Sequence, residues 1–223
     1  MTTPSPGPAY VRLIGRLLAG ALCLLAATWR VEGTEAVRLE MDKWTGTPFL
    51  VGFWHGKYVP LFVLLRGTRV NVFVGEGLRG TLIEAICRCF GFSPVLLPHG
   101  DRDRATERMR TALAGSLPCA TAFDGPRGPA RTVKPSLIAL ASAVGATILP
   151  VSMSARPCCV LRWRWDLREI PWPFARVQVR VGGPNQIPVG LSEDAQAEWS
   201  QRVKSALEEL DEDLRYSPRS SSG

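Results

Sequence analysis

The feature that most constrains this chain is an alternation of short apolar runs with segments of helical spacing. Phe49 to Trp54 is a buried-strand run, and Val59 to Leu65 is apolar with helical character. Arg69 to Val74 alternates like a strand, and Thr81 to Phe90 returns to helical spacing and stops at Gly91, a natural C-cap. Pro94 to Leu97, Cys119 to Phe123 and Thr147 to Val151 read as strands. Arg104 to Leu113 and Ser136 to Val144 read as helices between them. Strands that alternate with helices predict an α/β fold, a mainly parallel mixed sheet flanked by helices. Val177 to Val181 adds a half-exposed strand, and Ser192 caps a polar final helix.

The chain has 223 residues, of which 46% are hydrophobic, which suits one compact folded domain. Its boundaries fall at residues 30 to 215, between an N-terminal segment, 1 to 29, and a Ser-rich tail, 216 to 223. Lys and Arg number 27 against 20 acidic residues, a net charge of +7, which favours an anionic partner such as phosphate esters or anionic lipid. Six cysteines form no CxxC pair, and two histidines are too few for a familiar Cys/His zinc pattern, so no metal site is expected. The cysteines read as buried, reduced thiols of a cytosol-facing protein.

Residues 1 to 9 are rich in Pro and Ser and read as loose, whereas Leu13 to Trp29 is apolar apart from Arg16. A signal peptide, a buried core helix, and a helix that lies in or marginally spans a membrane all fit this length. The flanking Arg12, Arg16 and Arg30 with Trp29 favour membrane attachment.

His55 follows the first buried run and precedes Gly56, at a strand end, where α/β sites lie. A neutral imidazole there takes a proton from a hydroxyl, or else is a hydrogen-bonded structural residue. Asp124-Gly125-Pro126-Arg127-Gly128-Pro129 lies between a strand and a helix. Its Arg127 offers a planar fork to phosphate or carboxylate, with Arg131 and Lys134 extending the positive surface. The other reading of this loop is a tight connection capped by Asp124. His99-Gly100-Asp101-Arg102 is a further polar loop after a strand. Arg162-Trp163-Arg164-Trp165, followed by Trp172 and Phe174, suits lipid headgroups or places Trp toward a core. No RNA-binding signature accompanies it, so nucleic acid is not an expected partner.

Taken in order, Phe53-Trp54-His55-Gly56-Lys57, Phe123 to Pro129, Val133-Lys134-Pro135 and Ile148 to Ser152 resemble an uncharacterised bacterial family grouped with the lysophospholipid acyltransferases. The resemblance continues through Trp165-Asp166 and Ile170 to Val177. It implies a glycerolphosphate acyltransferase-like fold and acyl transfer from a thioester, acyl-CoA or acyl carrier protein, to a hydroxyl of a phosphorylated lipid or glycolipid. No bound cofactor is implied. The expected setting is the cytoplasmic face of the inner membrane, with membrane lipids as partners. By resemblance His55 is the general base and Arg127 binds the acceptor phosphate. Lys57, Asp124, Gly125, Lys134, Gly100 and Arg102 complete the substrate-binding set. The superfamily's acid, five positions after the His, is Pro60 here, and Arg79 stands where the family carries Asp. Glu76 is therefore the candidate to orient His55. These departures also motivate the alternative of a non-catalytic lipid- or anion-binding pseudoenzyme.

Overall fold

The computed structural model describes residues 8–216, so the seven residues at each end, including most of both expected loose termini, lie outside the described residues. Helix α1 (Ala9–Ala27) leads into strand β1 (Arg30–Glu32), helix α2 (Thr34–Lys43) and strand β2 (Phe49–Phe53). A short 3-10 turn (His55–Lys57) runs into α3 (Tyr58–Leu64), and β3 (Asn71–Gly75), α4 (Leu78–Cys89), β4 (Ser93–Leu97), α5 (Arg102–Leu113) and β5 (Cys119–Ala122) follow. After α6 (Pro135–Val144) come β6 (Thr147–Leu161), β7 (Arg168–Val181), β8 (Asn185–Gln186) and α7 (Glu193–Tyr216).

The sheet runs β1-β7-β6-β2-β5-β3-β4, with β8 beside β6. Pairing is parallel across β1/β7, β6/β2, β2/β5, β5/β3 and β3/β4, and antiparallel only where β6 meets β7 and β8. The fold is thus the mainly parallel, helix-flanked α/β architecture that the alternation predicts. All five residues of β2 are buried, as a central strand covered on both faces requires. Gly52 in β2 leaves the space that the Phe123 ring fills, because a Cβ there would lie 2.5 Å from Phe123 Cε2.

The sequence reading underestimates the second half of the sheet. It places strands only at 147 to 151 and 177 to 181, whereas β6 and β7 form a long hairpin. Prolines at 150, 157, 171 and 173 interrupt the apolar pattern, and a register shift near Arg156 absorbs the irregularity. Helix α2 is also absent from that reading; it buries only Val37 and Met41, too few apolar positions to declare a period.

Helix α1 packs on α4 through a narrow seam of small residues. Val11, Gly15, Ala19 and Ala26 are buried, and a Cβ on Gly15 would lie 2.7 Å from that of Ala85. The opposite face leaves Leu13, Leu17 and Leu24 exposed. At 19 residues, α1 is long and apolar enough to cross a membrane by length and composition. The cysteines are a correction: Cys87 and Cys119 are buried, Cys89 is exposed, and the other three are half-buried. Burial pushes the Cys87 thiol up to about 12 and the Cys119 thiol up to about 11, so both stay protonated.

Candidate active site

Parallel pairing of β2 with β5 places Phe53 opposite Ala122, so the segments that follow these strands emerge side by side. The Phe123 amide donates to Phe53 O at 2.9 Å, and the His55 amide donates to Asp124 Oδ1 at 2.8 Å. The second Asp124 oxygen accepts from the Arg131 amide at 3.3 Å. Buried Asp124 therefore joins the His55 turn to its own loop. Burial raises its pKa, against the lowering effect of these two amides. It binds backbone, and it is not among the residues that line the cavity beside His55.

The His55 ring lies between Tyr58, centroids 5.1 Å apart, and Trp165, 5.2 Å apart. Its Nε2 is 3.9 Å from Asp166 Oδ2. Asp166 sits in the turn between β6 and β7 with its side chain fully buried. Arg164 Nε donates to Oδ1 at 2.9 Å, and Arg168 Nη2 donates to Oδ2 at 2.6 Å. Burial opposes charge on Asp166, but these hydrogen bonds outweigh it and hold its pKa below the ordinary carboxylate value. His55 is pushed down to about 4, first by burial. Asp166 opposes that shift, while Arg168, Arg79 and Arg164 add to it. At neutral pH the site holds a neutral imidazole beside an ionised carboxylate.

A cavity of about 400 Å³ opens beside His55, within the range of small-molecule sites. Its lining is largely apolar and includes Phe53, Phe62, Val72, Ile83, Met109 and Leu137. His55, Arg79, Lys134, Gly125 and Pro126 also line it. Arg79 is exposed in the first turn of α4 and has no hydrogen-bond or ion-pair partner among the described residues. Lys134 Nζ donates to Gly128 O at 2.5 Å.

Of the residues expected at the site, His55, Gly125 and Lys134 line the cavity together. Arg127 follows the lining residue Pro126 and is exposed, outside the lining set. Lys57 must be corrected from substrate ligand to buried structural cation. Its Nζ donates to Met153 O at 2.6 Å and to Asp211 Oδ1 at 2.8 Å. Gly100 and Arg102 lie at the start of α5, where Asp101 caps the helix by accepting from the Arg104 amide at 3.0 Å, and neither lines the cavity. Glu76 pairs with Arg108 at 3.4 Å, and among the described residues the carboxylate in ion-pair range of His55 is Asp166. Asp166 falls in the Trp165-Asp166 pair of the resemblance, which assigns it no role. Its signal is the flanking of one acid by arginines two residues to either side, Arg164 and Arg168.

The mainly parallel, helix-flanked sheet is an acyltransferase-like fold by its likeness to a solved structure. The 1-acyl-sn-glycerophosphate (LPA) acyltransferase PlsC of Thermotoga maritima has a similar structure, with a TM-score of 0.54 over 91% of this chain and 80% of that one, at 23% identity. By sequence, an uncharacterized protein of Rickettsia prowazekii is 24% identical over 140 residues, 60% of this chain. The matched region spans 62% of that relative's length. No protein-family model matches the sequence.

Proposed function

We propose that this protein transfers an acyl group from a thioester, acyl-CoA or acyl carrier protein, to a hydroxyl of a phosphorylated lipid or glycolipid. The observation that carries the reading is a neutral, half-buried His55, next to ionised Asp166, in the lining of a largely apolar cavity of about 400 Å³. The cavity suits an acyl chain, and Arg79, Lys134 and the nearby Arg127 suit an anionic acceptor group.

With its proton on Nε2, facing Asp166, the imidazole keeps the Nδ1 lone pair. That nitrogen takes the proton of the acceptor hydroxyl as its oxygen attacks the thioester carbonyl. The tetrahedral intermediate then expels the thiolate, which recovers the proton from His55, so the residue ends as it began. Asp166 stabilises the transient imidazolium and keeps the ring oriented. Thioester alcoholysis of this kind needs only the acid–base group and an oriented acceptor.

The exposed Leu13, Leu17 and Leu24 face of α1 supports a helix lying in the membrane interface, here assigned to the cytoplasmic face of the inner membrane. The test is transfer from a labelled acyl thioester to mixed lysolipids by purified protein in detergent or nanodiscs. Activity that is lost in His55→Ala supports the reading, and full activity in that variant refutes the role of His55. A second reading, lipid binding without turnover, draws on the saturation of Asp166 by Arg164 and Arg168 and on the 3.9 Å gap to His55. Lipid binding with no transfer across acceptors and chain lengths would favour it.

A further inference from the structure

Behind the His55 turn lies a buried ionic cluster that the proposed chemistry does not use. Asp211, on the final helix α7, is 3% exposed. Its Oδ1 accepts from Lys57 Nζ at 2.8 Å and from the Ser152 hydroxyl. Arg131 Nη2 lies 2.9 Å from its Oδ2 as an ion pair, without the alignment of a hydrogen bond. Glu169 of β7 stands 3.8 Å from Lys57 Nζ, and burial raises its pKa against the pull of Lys57.

These contacts close a ring. Lys57 is two residues beyond His55, whose amide binds Asp124. Asp124 binds the Arg131 amide, and the Arg131 side chain returns to Asp211. Arg131 has φ of 57°, a left-handed backbone that is uncommon for a residue other than glycine. One carboxylate on α7 thus ties the turn that presents His55 to the loop that presents Gly125 and Lys134.

We propose that Asp211 is a positioning residue: through Lys57 and Arg131 it fixes the His55 turn and the Asp124 loop relative to each other. A buried charge pair is a weak source of stability, because burial costs nearly what the attraction returns. The members of this cluster come from separate segments of the chain, which fits a role in alignment.

The double variant Lys57→Met/Asp211→Leu tests this, since apolar replacement of a buried pair is often neutral for stability. Arg131→Met is the second variant; its side chain is 35% exposed and Lys57 still pairs with Asp211, so it disturbs the buried cluster less than the double variant does. The readout is the titration of His55 by imidazole NMR, made simple by a chain with two histidines. In either folded variant the His55 pKa should rise by about one unit or more toward the ordinary 6.5, as the turn loosens and admits water. Val203→Ala, a core change on the same helix, should leave it unmoved. Acyl transfer should fall about 10-fold or more in kcat, with the KM for the thioester within about 2-fold, as expected for misplacement of a catalytic group. Asp211→Glu, which keeps the charge, should recover part of the His55 shift. The rate rests on the acyl-transfer reading and the titration does not, so the two can fail separately. A His55 that titrates as in wild type in Arg131→Met, or in a folded double variant, overturns the proposal.

Discussion

Asp166 Oδ2 lies 3.9 Å from His55 Nε2, and both Asp166 oxygens are already bound by the arginines two residues to either side. The carboxylate is therefore fixed before any substrate arrives, as an orienting group must be. Replacing Asp166 with Asn removes the charge that would stabilise an imidazolium and leaves Arg164 and Arg168 uncompensated. The expected loss is about 10²-fold or more in kcat, measured as turnover of a labelled acyl thioester at saturating acceptor. Unchanged turnover in this variant would leave His55 without an acidic partner.

The hairpin that carries Asp166 also touches the turn it serves. A Cβ added at Gly56 would lie 2.3 Å from the Asp166 carbonyl oxygen, which is backbone and cannot rotate away. Gly56→Ala must push the hairpin from His55, with a stability cost of about 1–3 kcal/mol and a rate loss that exceeds it. Gly20→Ala, where a Cβ meets nothing within 4 Å, is the matched control and should keep full rate. Thermal melts alongside turnover separate the two effects.

Arg79 raises a question of charge. It lines the cavity with His55 and helps to hold the imidazole pKa down. Arg79→Gln should therefore raise the His55 pKa, seen directly by NMR. If Arg79 also grips the acceptor's anionic group, KM for a phosphorylated acceptor should rise about 10-fold, the scale of a lost charge-assisted hydrogen bond, while a neutral acceptor is unaffected. Equal effects on both acceptors would remove Arg79 from recognition.

The neighbouring of His55 and the Asp124 loop was legible in the sequence, because both follow apolar runs that become paired parallel strands. What was not legible depends on long-range contact. A cation next to a histidine reads as a substrate ligand, yet Lys57 turns inward because its partner Asp211 comes from the last helix. Glu76 lies three residues before Arg79, the position where the family carries an acid, but it is drawn to Arg108 of α5. Asp166 reaches His55 only through the folding back of the β6–β7 hairpin, whose strands are masked by prolines.

The outer face of α1 gives a surface prediction. Leu13→Glu with Leu17→Glu changes two exposed side chains, so stability should move by no more than about 0.5 kcal/mol per site. Both charges enter the apolar stripe and should abolish co-sedimentation with liposomes. Turnover of a short-chain, detergent-dispersed acceptor should persist. Liposome binding at the wild-type level would remove α1 from the membrane contact.

The depressed pKa of His55 also makes stability depend on pH in a defined window. An unfolded histidine takes its proton near 6.5, whereas folded His55 does so only near 4. Between those values the unfolded chain binds more protons, so the contribution of His55 is present above pH 6.5 and is lost as pH falls toward 4. A shift of this size corresponds to at most about 3 kcal/mol. Carboxylates titrate in the same range, so the comparison must be with His55→Gln, which keeps them and lacks the imidazole. Chemical denaturation at pH 7, 5.5 and 4.5 should show wild type losing stability faster than His55→Gln on acidification. Parallel pH profiles for the two proteins would mean that His55 titrates normally and is not held neutral by its surroundings. The same pKa should set the acidic limb of kcat/KM, which should fall below pH 5 and not near 6.5 if neutral His55 is the base.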